Sequence, residues 1–191
     1  GTATLKSLMM NKKLLALGIA AGAAASVFRR KSRKVAIPDG ATAVSPFDVK
    51  KYLGTWYEIA RMDYRFERRL SNVSATYTVK GNGDIKVDNK GYSAEKQAWR
   101  ESIGKAKFVK NANLGRLKVS FYGPFYAGYN IIDLDEQYKY ALVAGNNLNY
   151  LWILSRKTTI PAKIKERFLA KAKELGYDTE ALIWTKHDKQ D

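Results

Sequence analysis

From Gly54 to Ser155 the sequence reads as about eight or nine short strands in series, separated mostly by short turns, and few architectures can use such a run. The expected strands lie at 54–61, 73–79, 85–89, 97–102, 105–109, 117–122, 126–134, 138–144 and 149–155. Segment 117–122 carries the pattern most plainly. Leu117, Val119 and Phe121 alternate with Lys118, Ser120 and Tyr122, the period of a sheet with one face buried. Asn82-Gly83 is a dipeptide that two-residue hairpins favour, and Gly104 is expected to sit between the two strands of a further pair. Strands spaced this closely build an antiparallel sandwich or barrel. The period then changes. Ile164, Phe168, Leu169, Ala172 and Leu175 form one apolar stripe at helical spacing, with Thr159 expected as cap, Pro161 in the first turn and Gly176 as the stop. Residues 181–185 are apolar enough for a closing strand. A short helix is expected before the first strand, with Ser45 as its cap, Pro46 at its first position and Asp48 near its positive end; Gly54 follows it.

The first strand contains a conflict. In Tyr52-Leu53-Gly54-Thr55-Trp56-Tyr57-Glu58-Ile59-Ala60-Arg61, alternation puts Trp56, Glu58 and Ala60 on one face. A Trp is normally sunk into a core, whereas a buried carboxylate needs a partner or water. The two on one face point to a cavity with some polar content.

Composition narrows the chemistry. The chain has no cysteine and one histidine, His187, so disulfides, thiol catalysis and cysteine-held metals are excluded and a histidine-based triad or metal site is poorly supplied. No catalytic residue, metal or cofactor is expected. Formal net charge is +16, of which residues 1–44 supply +7 through eight Lys/Arg against Asp39. Such a balance suits a solvated basic surface, anionic lipid or nucleic acid. Met10 reads as a natural start. Lys12 and Lys13 precede an apolar run from Leu14 to Phe28, too short for the ~20 residues of a spanning helix but of signal-peptide length. Ala23-Ala24-Ala25-Ser26 offers small residues for cleavage. The cluster Arg29-Arg30-Lys31-Ser32-Arg33-Lys34 fits an export signal badly, because positive charge tends to stay cytoplasmic. The readings are an imperfect export signal, a short anchor held to acidic lipid by the cluster, or a soluble cytosolic tail. The expected organisation is a signal-like or anchor segment at 1–34, a linker at 35–44 containing Pro38-Asp39-Gly40, a barrel domain at 45–187 and a tail at 188–191.

Three blocks in order carry a resemblance: Gly54-Thr55-Trp56-Tyr57-Glu58-Ile59-Ala60-Arg61; Leu117-Lys118-Val119-Ser120-Phe121 leading to Tyr129-Asn130-Ile131-Ile132-Asp133-Leu134-Asp135; and Tyr150-Leu151-Trp152-Ile153-Leu154-Ser155-Arg156. With the late helix they resemble the lipocalin family, in particular bacterial lipocalins of the apolipoprotein-D-like subgroup, from about Ser45 to Trp184. The resemblance implies an all-β fold, an eight-stranded antiparallel up-and-down barrel with one C-terminal α-helix packed outside. It also implies that Arg156 lies across Trp56 and closes one barrel end, a structural role. A single internal pocket would open at the other end for a small hydrophobic ligand, a fatty acid or lysophospholipid. Counting parity along the strands gives its expected lining: Glu58, Thr76, Val87, Asn89, Asn130, Ile132 and Trp152. Related members place residues matching Asn130 and Trp152 beside the ligand. Arg61, Arg65, Arg68 and Arg69 near the mouth could meet a carboxylate or phosphate.

The expected function is a non-catalytic lipid carrier of the bacterial cell envelope, membrane-associated or periplasmic. Its expected partners are a small lipid, an anionic membrane met by the N-terminal basic segment, and a second copy of the chain in a homodimer. Two alternatives stand beside it: a lipid-modifying enzyme using Glu58 as general base, and a basic nucleic-acid-binding barrel using the interleaved Tyr64-Arg65-Phe66.

Overall fold

The computed structural model describes residues 35–62 and 69–190. The apolar run and basic cluster of 1–34, and Tyr64, Arg65, Phe66 and Arg68, lie outside the described residues. The strands are β1 (Gly54–Met62), β2 (Leu70–Val79), β3 (Ile85–Ser93), β4 (Ala98–Phe108), β5 (Arg116–Tyr122), β6 (Phe125–Leu134), β7 (Tyr140–Ala144), β8 (Leu151–Ser155) and a short β9 (Leu182–Trp184). Each of the first seven pairs antiparallel with the next and β8 pairs with β1, so the sheet closes on itself. Closure leaves these eight without a free edge.

Alternation along the strands makes two cores. Trp56, Ala75, Tyr77, Val87, Val119, Tyr129, Ile131, Val143, Trp152 and Leu154 face the barrel interior. Outside the wall, Ile132, Leu142, Ala144, Leu151 and Ile153 pack under helix α2 (Ala162–Glu174), which presents Phe168 and Ala172 to them. Arg167 and Lys171 of α2 ion-pair with Asp133 of β6 and fix the helix to the wall. Pro161 holds the N-cap position of α2 without a side-chain bond, so Thr159 is not the cap.

Three local expectations are corrected. Helix α1 is Val49–Tyr52, and its cap is Asp48, whose carboxylate accepts from the Lys50 N–H; Ser45 and Pro46 lie outside it. Gly104 is no turn but the interior of the unbroken β4. A Cβ there would sit 2.7 Å from the Ser120 carbonyl oxygen and 2.8 Å from the Phe121 ring, so the glycine lets a neighbouring strand and its aromatic ring approach. Residues 35–44 pack against the barrel instead of hanging between domains. The Val44 N–H donates to the Ile131 carbonyl and the Gly115 N–H to the Val44 carbonyl, with Ala43 buried.

β1 and β2 pair only from Gly54–Tyr77 to Tyr57–Ser74 and then separate. The C-terminal residues fill the gap. β9 pairs with Ala60, Arg61 and Met62, and the Thr185 N–H donates to the Ile59 carbonyl. On the far side the Asn72 N–H donates to the Lys186 carbonyl, while the Asn72 side-chain oxygen accepts from the Asp188 and Lys189 N–H groups. The expected tail is therefore part of the barrel wall as far as Lys189.

Candidate functional site

One end of the barrel is shut. Gly54 opens β1 at φ +94°, a conformation that favours glycine, and the Arg156 guanidinium passes 3.4 Å from where its Cβ would be. The guanidinium carbon lies 3.9 Å from the Trp56 ring centroid. Its nitrogens donate to the carbonyls of Tyr138, Thr55 and Lys51 at 3.0, 3.0 and 2.9 Å, tying three segments together over the indole. Trp56 is fully buried, and its indole N–H donates to the Tyr52 carbonyl at 2.8 Å.

Beside this plug, at the closed end, sits a tyrosine triad that the strand pattern does not announce. The Tyr77 hydroxyl donates to Tyr129 at 3.0 Å, and the Tyr129 and Tyr52 hydroxyls share a bond of 2.7 Å. Burial holds all three hydroxyls well above the ordinary phenol range, so they stay neutral. A cavity of about 10 Å³ remains among Phe47, Leu53, Tyr77, Ile85 and Leu117, room for about one water. The closed end is thus filled.

Toward the other end the interior becomes polar. Val87 and Asn89 face inward from β3 and Trp152 from β8. Asn89 is 1% exposed, and neither its amide nitrogen nor its amide oxygen has a partner. It pairs across the sheet with Ala75 and Ser102, and Ala75 in turn pairs with Trp56, so Asn89 lies in the row directly bordering the plug. Nearer the mouth, Glu58 accepts from Arg61 at 2.7 Å and from the Thr185 hydroxyl at 2.6 Å through Oε2, while Oε1 is buried without a partner. Arg61 and Glu58 are three residues apart, which in a regular strand would put them on opposite faces. A bulge between Glu58 and Ala60 brings Arg61 opposite Trp152, and the pair forms inside. Arg61, expected to be available to a ligand anion, is committed to Glu58 instead.

Three expected lining residues are on the outer face. Thr76 lies between the inward Ala75 and Tyr77, and its hydroxyl bonds that of Thr55 at 2.9 Å. Ile132 packs in the core under α2. Asn130 donates to the carbonyls of Ala36, Ala144 and Gly145, pinning the 35–44 segment to the end of β7. In β6 the inward residues are Ala127, Tyr129 and Ile131, one position out of step with the expectation. A bulky residue at 130 would therefore displace the 35–44 segment and leave the barrel interior unfilled. Glu58, Val87, Asn89 and Trp152 face the barrel interior; Thr76, Asn130 and Ile132 do not.

Comparison with known proteins agrees with this geometry. A family model described as a lipocalin-like domain matches residues 47–187. The outer membrane lipoprotein Blc of Citrobacter freundii is 52% identical over 149 residues, covering 78% of this chain and 84% of the relative. Its counterpart in Vibrio cholerae is 50% identical over 149 residues, covering 78% and 87%. Temperature-induced lipocalin-1 of Arabidopsis thaliana is 34% identical over 147 residues, covering 73% and 78%. Among solved structures, insecticyanin of the tobacco hornworm Manduca sexta superposes with a TM-score of 0.66 at 17% identity, covering 82% of this chain and 89% of that one, a likeness of fold. With the closed barrel, the outer helix and the capped indole, these matches establish that the chain belongs to the lipocalin family.

Proposed function

We propose that the barrel binds one small amphiphilic lipid, a neutral polar group of it against Asn89 beside the plug, and that the protein carries it in the bacterial cell envelope. Family membership supports binding of a small hydrophobic molecule. The relatives named outer membrane lipoproteins support the location. This chain has no cysteine to carry a thiol-linked lipid, so any attachment within these residues falls to the apolar run and basic cluster of 1–34.

One observation carries the ligand's chemistry: the unpartnered Asn89 amide. A buried amide with neither hydrogen bond made costs about 1–3 kcal/mol. A ligand offering both an acceptor and a donor, such as the ester and hydroxyl of a lysophospholipid, would remove that cost. Among the described residues, Arg61 faces this interior and is already ion-paired with Glu58, which disfavours a ligand carboxylate at this depth. The same pairing argues against a catalytic Glu58, which would need to be an isolated, desolvated base.

Asn89→Leu separates the effects. Stability of the ligand-free protein should rise by about 1 kcal/mol or more, since the orphaned amide is gone. Affinity for a fluorescent lysophospholipid analogue should fall about tenfold, since the ligand's polar group would then be the one left unpaired. Titration of both proteins, with urea unfolding of each, checks the two signs together. Unchanged affinity in Asn89→Leu would remove Asn89 from the site.

A further inference from the structure

Building on that lipid-binding reading, we propose that Arg100 is a phosphate-recognising residue of the internal site. One lysophospholipid then meets Asn89 with its ester and hydroxyl and Arg100 with its phosphate.

Register places Arg100 on the inner face. In the unbroken β3–β4 pairing, Asn89 lies opposite Ser102 and Gly91 opposite Arg100. Residues directly opposite on antiparallel strands share a face. On β3, Val87, Asn89 and Gly91 are buried, while Lys86, Asp88 and Lys90 between them are less so. On β4, Arg100 and Ser102 are half-buried, while Glu101 and Ile103 are exposed. Arg100 therefore stands one inward row nearer the mouth than Asn89, a rise of ~7 Å along the strand. β4 pairs with β5 from Lys105 to Phe108, so the Arg100 row lies farther along the hairpin toward the mouth than that pairing.

Charge then says what the row takes. The other arginines at this end are engaged: Arg61 with Glu58 at 2.7 Å and Arg69 with Glu95 at 3.0 Å. The neighbouring Glu101 is on the outer face, hydrogen-bonded to Asp88. Leu70 and Val73 pack where a side chain on Gly91 would be, 3.3 Å from its Cβ position, so the inner face opposite Arg100 is apolar. Among the described residues no carboxylate pairs with the Arg100 guanidinium. A cation partly withdrawn from water without a counter-ion is costly, and an incoming anion relieves that cost. The planar guanidinium fork matches a phosphate bidentately. A lysophospholipid carries its phosphate within a few bonds of its ester and hydroxyl, so one molecule serves both rows. A monoacylglycerol serves Asn89 alone, and a fatty acid has one head group for two residues.

Lipids that differ in the phosphate test the assignment. Lysophosphatidylglycerol and the monoacylglycerol of the same chain length are titrated into the full chain and into Arg100→Gln, each below the concentration at which it aggregates. The parent should bind the phospholipid about tenfold or more tightly than the monoacylglycerol. That preference should shrink as salt is raised. Arg100→Gln should weaken phospholipid binding by about the same factor and leave monoacylglycerol binding unchanged, which also proves the variant folded. Arg100→Lys, which keeps the charge but not the fork, should recover part of the loss. A fatty acid of that chain length should lose less than the phospholipid in Arg100→Gln. Equal affinities for the two lipids in the parent, or an undiminished preference in Arg100→Gln, would overturn the role of Arg100 and leave the internal site standing. A loss for the fatty acid as large as that for the phospholipid would overturn the assignment to phosphate. Uptake of neither lipid by the parent would overturn the lipid-binding reading and the role of Arg100 with it.

Discussion

Trp56→Ala is expected to destabilise the protein by about 3–5 kcal/mol, the range for emptying a fully buried aromatic site. Three losses coincide there. The indole's apolar area goes, the Tyr52 carbonyl loses its donor, and Arg156 loses the ring it lies on. Partial collapse is hindered because the residues around the hole are tied to one another: Arg156 to three carbonyls, and Tyr52 to Tyr129. Urea unfolding followed by far-ultraviolet circular dichroism reads the effect as a lower midpoint. A variant within about 1 kcal/mol of the parent, well short of the cavity range, would refute the plug as a main support of the barrel.

Glu58→Leu should cost a comparable amount, about 3–5 kcal/mol, for a different reason. Arg61 is 1% exposed, so removing the Glu58 carboxylate takes a buried, hydrogen-bonded counter-ion from its guanidinium. The Thr185 hydroxyl loses its acceptor too, which loosens the C-terminal segment beside β1. The double change Glu58→Leu with Arg61→Met should recover most of the loss, because an apolar pair of similar volume replaces the ion pair. Additive destabilisation in the double variant, measured by the same unfolding curves, would show that the two residues do not act as a pair.

How much of this was legible depended on what covers each strand. In β3 the outer face meets water, so Lys86, Asp88 and Lys90 mark it and Val87 and Asn89 are read inward without ambiguity. In β6 both faces are covered, the outer one by residues 35–44 and α2. Tyr129-Asn130-Ile131-Ile132 then carries no alternation to follow, and a one-residue slip moves every side chain to the wrong face. Bulges defeat parity altogether. Nothing in Glu58-Ile59-Ala60-Arg61 announces the extra residue that turns Arg61 inward, so the ion pair was invisible. Gly104 misled for a related reason: a glycine admitting a neighbour's ring and a glycine making a turn look alike in sequence. The run of short antiparallel strands and the helix were readable because they rest on spacing and period over many residues, whereas closure into eight strands followed only from the family resemblance. The tyrosine triad was not, since Tyr52, Tyr77 and Tyr129 come from three distant segments.

Native mass spectrometry of the full chain mixed with a lysophospholipid tests the central claim most directly. One lipid should be retained per barrel, saturating at that ratio and displaced by a second acyl lipid added in excess. No retained lipid, or uptake that climbs without saturating, would contradict a single internal site.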